Sequence, residues 1–133
     1  MYTLQDAITQ FGVDVDPHLD RQASIPVHSG LQAQGDVIVV PHTGEAAVDL
    51  VPQHGIAVVR GETGGNTHLL LADGPVFYTD NLDTELTLGV VTVPAGSVAY
   101  LAHPEHAYSG IAPGTYELRR QREQADQIRM VAD

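Results

Sequence analysis

The sequence predicts a mainly β domain, an antiparallel sandwich or barrel of short strands, with helix confined to the two ends. Three observations carry that expectation. From Gln34 onward, turn residues punctuate the chain about every eight to twelve residues, the rhythm of strands joined by hairpins. The runs between them are short, apolar and rich in valine, isoleucine and leucine. Prolines and glycines fall at the ends of those runs, where a missing ladder hydrogen bond does least harm.

The elements follow in order. Leu4, Ala7, Ile8 and Phe11 repeat at i, i+3, i+4 and i+7, an amphipathic helical stripe. Thr3 suits its N-cap, Asp6 its positive first turn, and Gly12 its end. So short a helix does not persist alone in water and must dock on its own domain or on a partner. Leu4, Ile8 and Phe11 are therefore the candidate interaction residues. Between Val13 and Gln32 periodicity disappears, and Asp14, Asp16, Pro17, Asp20, Pro26, Ser29 and Gly30 read as an extended arm. Residues 1–33 are thus expected to form a helix and arm that pack across a subunit boundary or onto a protein partner, and residues 34–133 a β-rich domain. Strand candidates within it are 37–40, 47–51, 56–59, 69–71, 76–78, 86–93, 98–101 and 116–118. Gly89, inside the longest run, predicts a bulge or a close approach. From Gln121 to Val131 the residues again favour a short helix, with Ile128 and Val131 as its apolar stripe.

Charge narrows the partners. The 133 residues carry a net charge of -11, and four of the six basic side chains (Arg119, Arg120, Arg122, Arg129) lie near the C-terminus. A surface so negative repels phosphate backbones, so neither general nucleic-acid binding nor anionic-membrane binding is expected. The absence of cysteine removes disulfides, thiolate zinc sites and cysteine nucleophiles together. No apolar run approaches the ~20 residues that span a bilayer. The N-terminus lacks the basic and apolar regions of a secretory signal. A cytoplasmic protein, or a component of a soluble particle such as a virion, is the expectation.

Histidine is the one chemically versatile residue in excess, at positions 18, 28, 42, 54, 68, 103 and 106. Neutral imidazole binds zinc, iron, nickel or copper. His103-Pro104-Glu105-His106 is the densest group. On an extended segment His103 and Glu105 share a face and His106 points away, so only a turn at Pro104 would unite the two rings. The alternative is a histidine closing a strand and another in a solvated loop. The glycine-rich stretch from Gly61 to His68 has no lysine for a phosphate cradle. It is distantly similar to a cupin-like hairpin, but Asn66-Thr67-His68 keeps one imidazole of the H-x-H pair. The second cupin-like stretch, Gly89 to Gly96, has Ala99 at its histidine position. Asp80, Asn81, Asp83 and Glu85 gather oxygen ligands without the spacing of a calcium loop. No serine stands in a nucleophile elbow. Catalysis gains little support from any of this.

Several separated segments together resemble one family. They are Gln34-Gly35-Asp36-Val37, the turn ending at His68, His103-Pro104-Glu105-His106-Ala107, and the stretch from Pro113-Gly114-Thr115-Tyr116 through Arg119-Arg120-Gln121-Arg122-Glu123. The pattern is similar to small bacterial and phage proteins without an assigned activity, carrying Q-G-D-V, G-H-x-H, H-x-E-H-A and P-x-G-x-Y-x-V-R-R-x-R-E elements. It covers residues 34 to 133. The resemblance implies a site built from the G-H-x-H turn and the H-x-E-H segment, with His68, His103 and His106 as metal ligands. Asn66 stands where the family has a further histidine, and Gln124 where it tends to have tyrosine. Glu105 or Glu62 would then be a fourth ligand or an acceptor that fixes an imidazole tautomer.

Taken together, these features predict a non-enzymatic structural or interaction domain that binds a protein partner or a second copy, with no cofactor. The alternative is a cupin-like domain that holds a divalent transition metal through His68, His103 and His106.

Overall fold

Helix α1 (Leu4–Phe11) begins where the sequence places its cap. Thr3 and Asp6 form a reciprocal capping box, and Gly12 ends the helix in the left-handed region at φ 74°. The computed structural model describes residues 1–59, 67–80 and 87–120. Among these, eleven strands follow α1: β1 (Val27–His28), β2 (Gln32–Gln34), β3 (Val37–Pro41), β4 (Asp49–Leu50), β5 (Ile56–Val59), β6 (His68–Asp73), β7 (Phe77–Asp80), β8 (Thr87–Val93), β9 (Val98–His103), β10 (Ala107–Ile111) and β11 (Gly114–Arg120). One sheet runs β1-β10-β9-β6-β5 and the other β2-β3-β11-β8-β7-β4. Every pairing is antiparallel except β1 with β10. The expected C-terminal helix and the 81–85 acidic turn lie outside the described residues.

The core forms where the two sheets face each other. Val37, Val39, Val91, Val93, Tyr116 and Leu118 from the six-stranded sheet meet Leu70, Ala99, Leu101 and Ile111 from the five-stranded one. Alternation along each strand assigns these faces, since residues two apart point the same way. Gly89 is both features the sequence offered. The β8–β11 register shifts beside it, and a Cβ there would stand 2.4 Å from the Tyr78 hydroxyl. The Pro113-Gly114-Thr115-Tyr116 turn is locked by the Tyr116 hydroxyl, which donates to the Ala112 carbonyl at 2.9 Å.

The N-terminal segment docks on its own domain. It folds back over the outer face of the five-stranded sheet, where Leu4, Ala7, Val15 and Ile25 form a second core with Leu71, Tyr100, Ala102 and Tyr108. Leu4 is buried, and Ile8 and Phe11 are half-buried against the same cluster. Phe11 lies 5.6 Å from the Tyr100 ring, and the Tyr108 hydroxyl donates to the Val13 carbonyl at 2.7 Å. The physical reason is that this sheet would otherwise expose Leu71, Tyr100 and Tyr108, and the helix needs an apolar surface of its own. Each fully buried leucine or isoleucine so placed contributes about 1.5–3 kcal/mol. β1 and β2 belong to the two sheets, and the Gly110 amide donates to the Pro26 carbonyl at 2.7 Å.

Candidate functional site

The inner face of the five-stranded sheet changes character at one end. Leu70 pairs with Leu101, and one register step beyond Leu69 with Ala102 brings His68 beside His103. Both histidines therefore inherit the inward direction of the core row. Each is only 4% exposed. A turn at Pro104 then leads from His103 back to Ala107, its cross-strand partner. That turn presents His106, which is exposed. The imidazole rings stand 4.4 Å (His68 to His103), 4.6 Å (His103 to His106) and 6.3 Å (His68 to His106) apart between centroids. Three histidines from segments far apart in sequence thus form one cluster.

The opposite sheet closes over it with the Gln34-Gly35-Asp36-Val37 hairpin. Gln34 pairs with Val37 across a two-residue turn, and Gly35 sits at φ 54°, which favours glycine. A Cβ on Gly35 would stand 2.8 Å from the His106 ring and 3.2 Å from Nε2 of His68. Glycine is needed here twice, for its φ and for the rings that approach it. Ala107 is the one non-glycine at positive φ among the described residues, at 66°. Holding alanine there costs roughly 1–2 kcal/mol, a strain located at the end of the turn that carries His106.

Hydrogen bonds fix the protonation pattern. His68 Nε2 lies 3.1 Å from the Gln34 carbonyl, which can only accept, so Nε2 carries the proton and Nδ1 is a bare lone pair. That Nδ1 is buried without a hydrogen-bond partner. Gln34 itself is 6% exposed. Its amide nitrogen donates to the Leu101 and Ala107 carbonyls at 3.0 and 3.3 Å, which sets the amide orientation and leaves Oε1 buried without a donor. Both unsatisfied atoms are acceptors, so what they lack is a proton donor or a cation. His103 differs, because its Nδ1 accepts the Glu105 amide at 3.1 Å. Its neutral ring therefore carries the proton on Nε2.

Electrostatics keep the inner rings neutral. Burial, then the neighbouring His103, pushes His68 down to about 4, against the Gln34 carbonyl and the Asp36 carboxylate, which pull it up. Burial, then His106, lowers His103, while Glu105, Asp16 and Asp36 oppose the shift. Asp16 is brought there by the arm, whose Asp16 amide donates to the Pro104 carbonyl at 2.8 Å. Among the described residues, no group of three or more His, Asp or Glu side chains stands ready-made around a common point as a metal would require.

The remaining sequence candidates lie elsewhere. His18, His28 and His54 are exposed, and His42 pairs with Glu117 at 3.7 Å. Glu62 and the rest of the glycine-rich loop before Thr67 lie outside the described residues, as does Gln124. The cupin-like stretch from Gly89 belongs to β8 in the other sheet, and Ala99 packs in the apolar core. Gln34 and Gly35 carry no chemical signal of their own in the sequence. Their only mark was membership of the Q-G-D-V element.

Fold and cluster together define a two-sheet β domain with a histidine-lined end. The chain belongs to the family described as a domain of unknown function (DUF8820), which matches residues 33–121. The match spans β3 to β11 and all three clustered histidines, and begins within β2. No curated protein matches the chain. No solved structure matches it. Among the described residues, no helix is long and apolar enough to cross a membrane.

Proposed function

We propose that this domain binds a divalent transition metal ion through His68, His103 and His106. The observation that carries the reading is the clustering of three imidazoles, His103 between His68 and His106, together with a buried His68 whose Nδ1 lone pair has no partner. Nitrogen donors of this kind suit zinc, nickel, copper or iron(II). Neutral rings are the ligating form, and burial holds His68 and His103 in it. Capture requires one adjustment. His103 must release the Glu105 amide from Nδ1, or move its proton from Nε2, to offer the ion a lone pair. Gln34 holds His68 through its carbonyl and fixes that ring's tautomer. Three imidazoles would leave a coordination position open, the pattern of reactive zinc-type sites.

The test is calorimetric titration of untagged, chelator-treated protein with zinc and nickel, beside a His106→Ala variant. One equivalent bound by the wild type and lost in the variant is expected. Absence of saturable binding, or binding unchanged by His106→Ala, sinks the reading.

A second reading keeps the domain as an interaction module within an assembly, of phage or mobile-element origin. It is favoured by Val48 and Leu50, 72% and 62% exposed beside the edge strand β4. Edge strands with apolar side chains are the usual template for adding a strand from a partner. Light scattering on the wild type and on a Leu50→Lys variant tests it, since a dimer that dissociates in the variant is the expected result.

A further inference from the structure

A half-open pocket of about 330 Å³ lies between the folded-back arm and the β2–β10 side of the domain. Leu4, Leu19 and Ile25 come to it from the helix and arm, Ala33 and Tyr108 from β2 and β10. Gln34 and His106 line it as well, so it adjoins the imidazole cluster. Its volume falls at the small end of the ~300–1,000 Å³ typical of small-molecule sites, and its mostly apolar lining with a few polar groups is also typical of them. The arm reaches this position through defined contacts and not as a loose cover. The Leu4 and Gln5 amides donate to the Ala23 and Arg21 carbonyls, both at 2.9 Å, and the Ile25 amide donates to Tyr2 at 3.0 Å.

The chemistry of the wall is one-sided. Among the described residues no arginine lines the pocket, and Asp20 is its one carboxylate. The whole chain carries a net charge of -11. A carboxylate or phosphate ligand would find no arginine here and would meet a repulsive field. A positively charged ligand meets the opposite.

We infer that this pocket binds a small apolar amine. Its hydrocarbon body packs against Leu4, Leu19 and Ile25, and its ammonium is drawn by the Asp20 carboxylate. The site shares His106 and Gln34 with the proposed metal centre but needs no metal to form.

Three probes of one shape and different charge test this on the full chain in the presence of chelator: benzylamine, benzyl alcohol and benzoate, followed by ligand-observed NMR titration. Benzylamine binding most tightly, benzyl alcohol more weakly and benzoate not at all is the expected order. Asp20→Asn weakens benzylamine about threefold, the worth of a partly exposed ion pair, and leaves benzyl alcohol unchanged. Ala33→Phe fills the pocket from an exposed strand position, where folding is least disturbed, and lowers both affinities roughly tenfold or more. Thermal unfolding of each variant confirms that the domain is intact. Benzoate binding as tightly as benzylamine, benzylamine binding that survives Ala33→Phe, or no saturable binding into the millimolar range overturns the inference. Because chelator is present throughout, those outcomes leave the metal reading where it stood, and failed zinc binding leaves this one where it stood.

Discussion

Strands β6 and β9 carry two kinds of interior on the same face, two residues apart. Leu70 and Leu101 pair across them at 0% exposure, and His68 and His103 follow at 4% each. Backbone direction, sheet and depth are shared. The leucines lie within the continuous apolar core, whereas the histidines leave a nitrogen of His68 and, beside it, an oxygen of Gln34 without a hydrogen-bond donor. A buried polar group left unsatisfied costs about 1–3 kcal/mol. Stability alone would place leucine there too. The contrast teaches that the fold tolerates a cost at the histidine end of the core row which it avoids one step away.

The largest effect is expected from breaking the apolar half. Leu101→Ala removes a side chain at the centre of the inter-sheet core and lowers unfolding free energy by ~2–5 kcal/mol in denaturant titration. A loss under ~1 kcal/mol would mean that the two sheets pack less closely than this arrangement requires.

Acid attacks the other half. His68 in the folded protein sits near 4, below its ordinary value of 6.5, so the unfolded chain binds more protons between those limits. The stability that neutral His68 confers is complete above about 6.5 and is lost as pH falls toward 4. The depressed His103 acts in the same direction. The expected loss for metal-free protein is on the order of 3 kcal/mol. A His68→Phe variant isolates it from the carboxylates, which both proteins share. Parallel stability-against-pH curves for the two proteins would refute the assignment.

How much of this contrast the sequence displayed depends on range. Strand runs, the Gly89 irregularity and the Thr3–Gly12 helix were legible because local patterning and turn chemistry decide them. Strands β1 and β2 were not, because two or three residues such as Val27-His28 show no alternation and pair only through contacts with distant chain. The arm read as reaching a neighbouring subunit or partner because its apolar residues have no period, and only the outer face of β6, β9 and β10 explains them. The three histidines were singled out by motif. Gln34 was passed over because its role lies in bonds to Leu101 and Ala107, 67 and 73 residues away.

Gly35→Ala tests the hairpin that closes the histidine end. At φ 54° alanine costs roughly 1–2 kcal/mol, and its methyl forces the His106 ring to move. Destabilisation near that size is expected, together with weakened zinc binding. Exposed His106 moves more readily than buried His68, so the fold survives. Ala107→Gly makes the converse change by relieving a strained φ, and thermal unfolding should show it neutral to slightly stabilising.

The smallest effect on stability is expected at His106, and it sharpens the comparison most. Its side chain is exposed, so His106→Ala removes no core volume, and substitutions at such positions usually stay within ~0.5 kcal/mol. Its ring is nonetheless 4.6 Å from His103 and contributes one of three imidazoles. A residue kept for stability would weaken the fold when truncated, and a ligand would weaken metal binding instead. Denaturant titration and zinc titration of the same variant separate the two. Unchanged unfolding with zinc affinity lowered at least ~100-fold is the expected pair, since even an outer partner of a metal site contributes ~10–100-fold. Unchanged unfolding with unchanged zinc binding would leave His106 a solvated turn residue. That outcome would end the three-histidine reading.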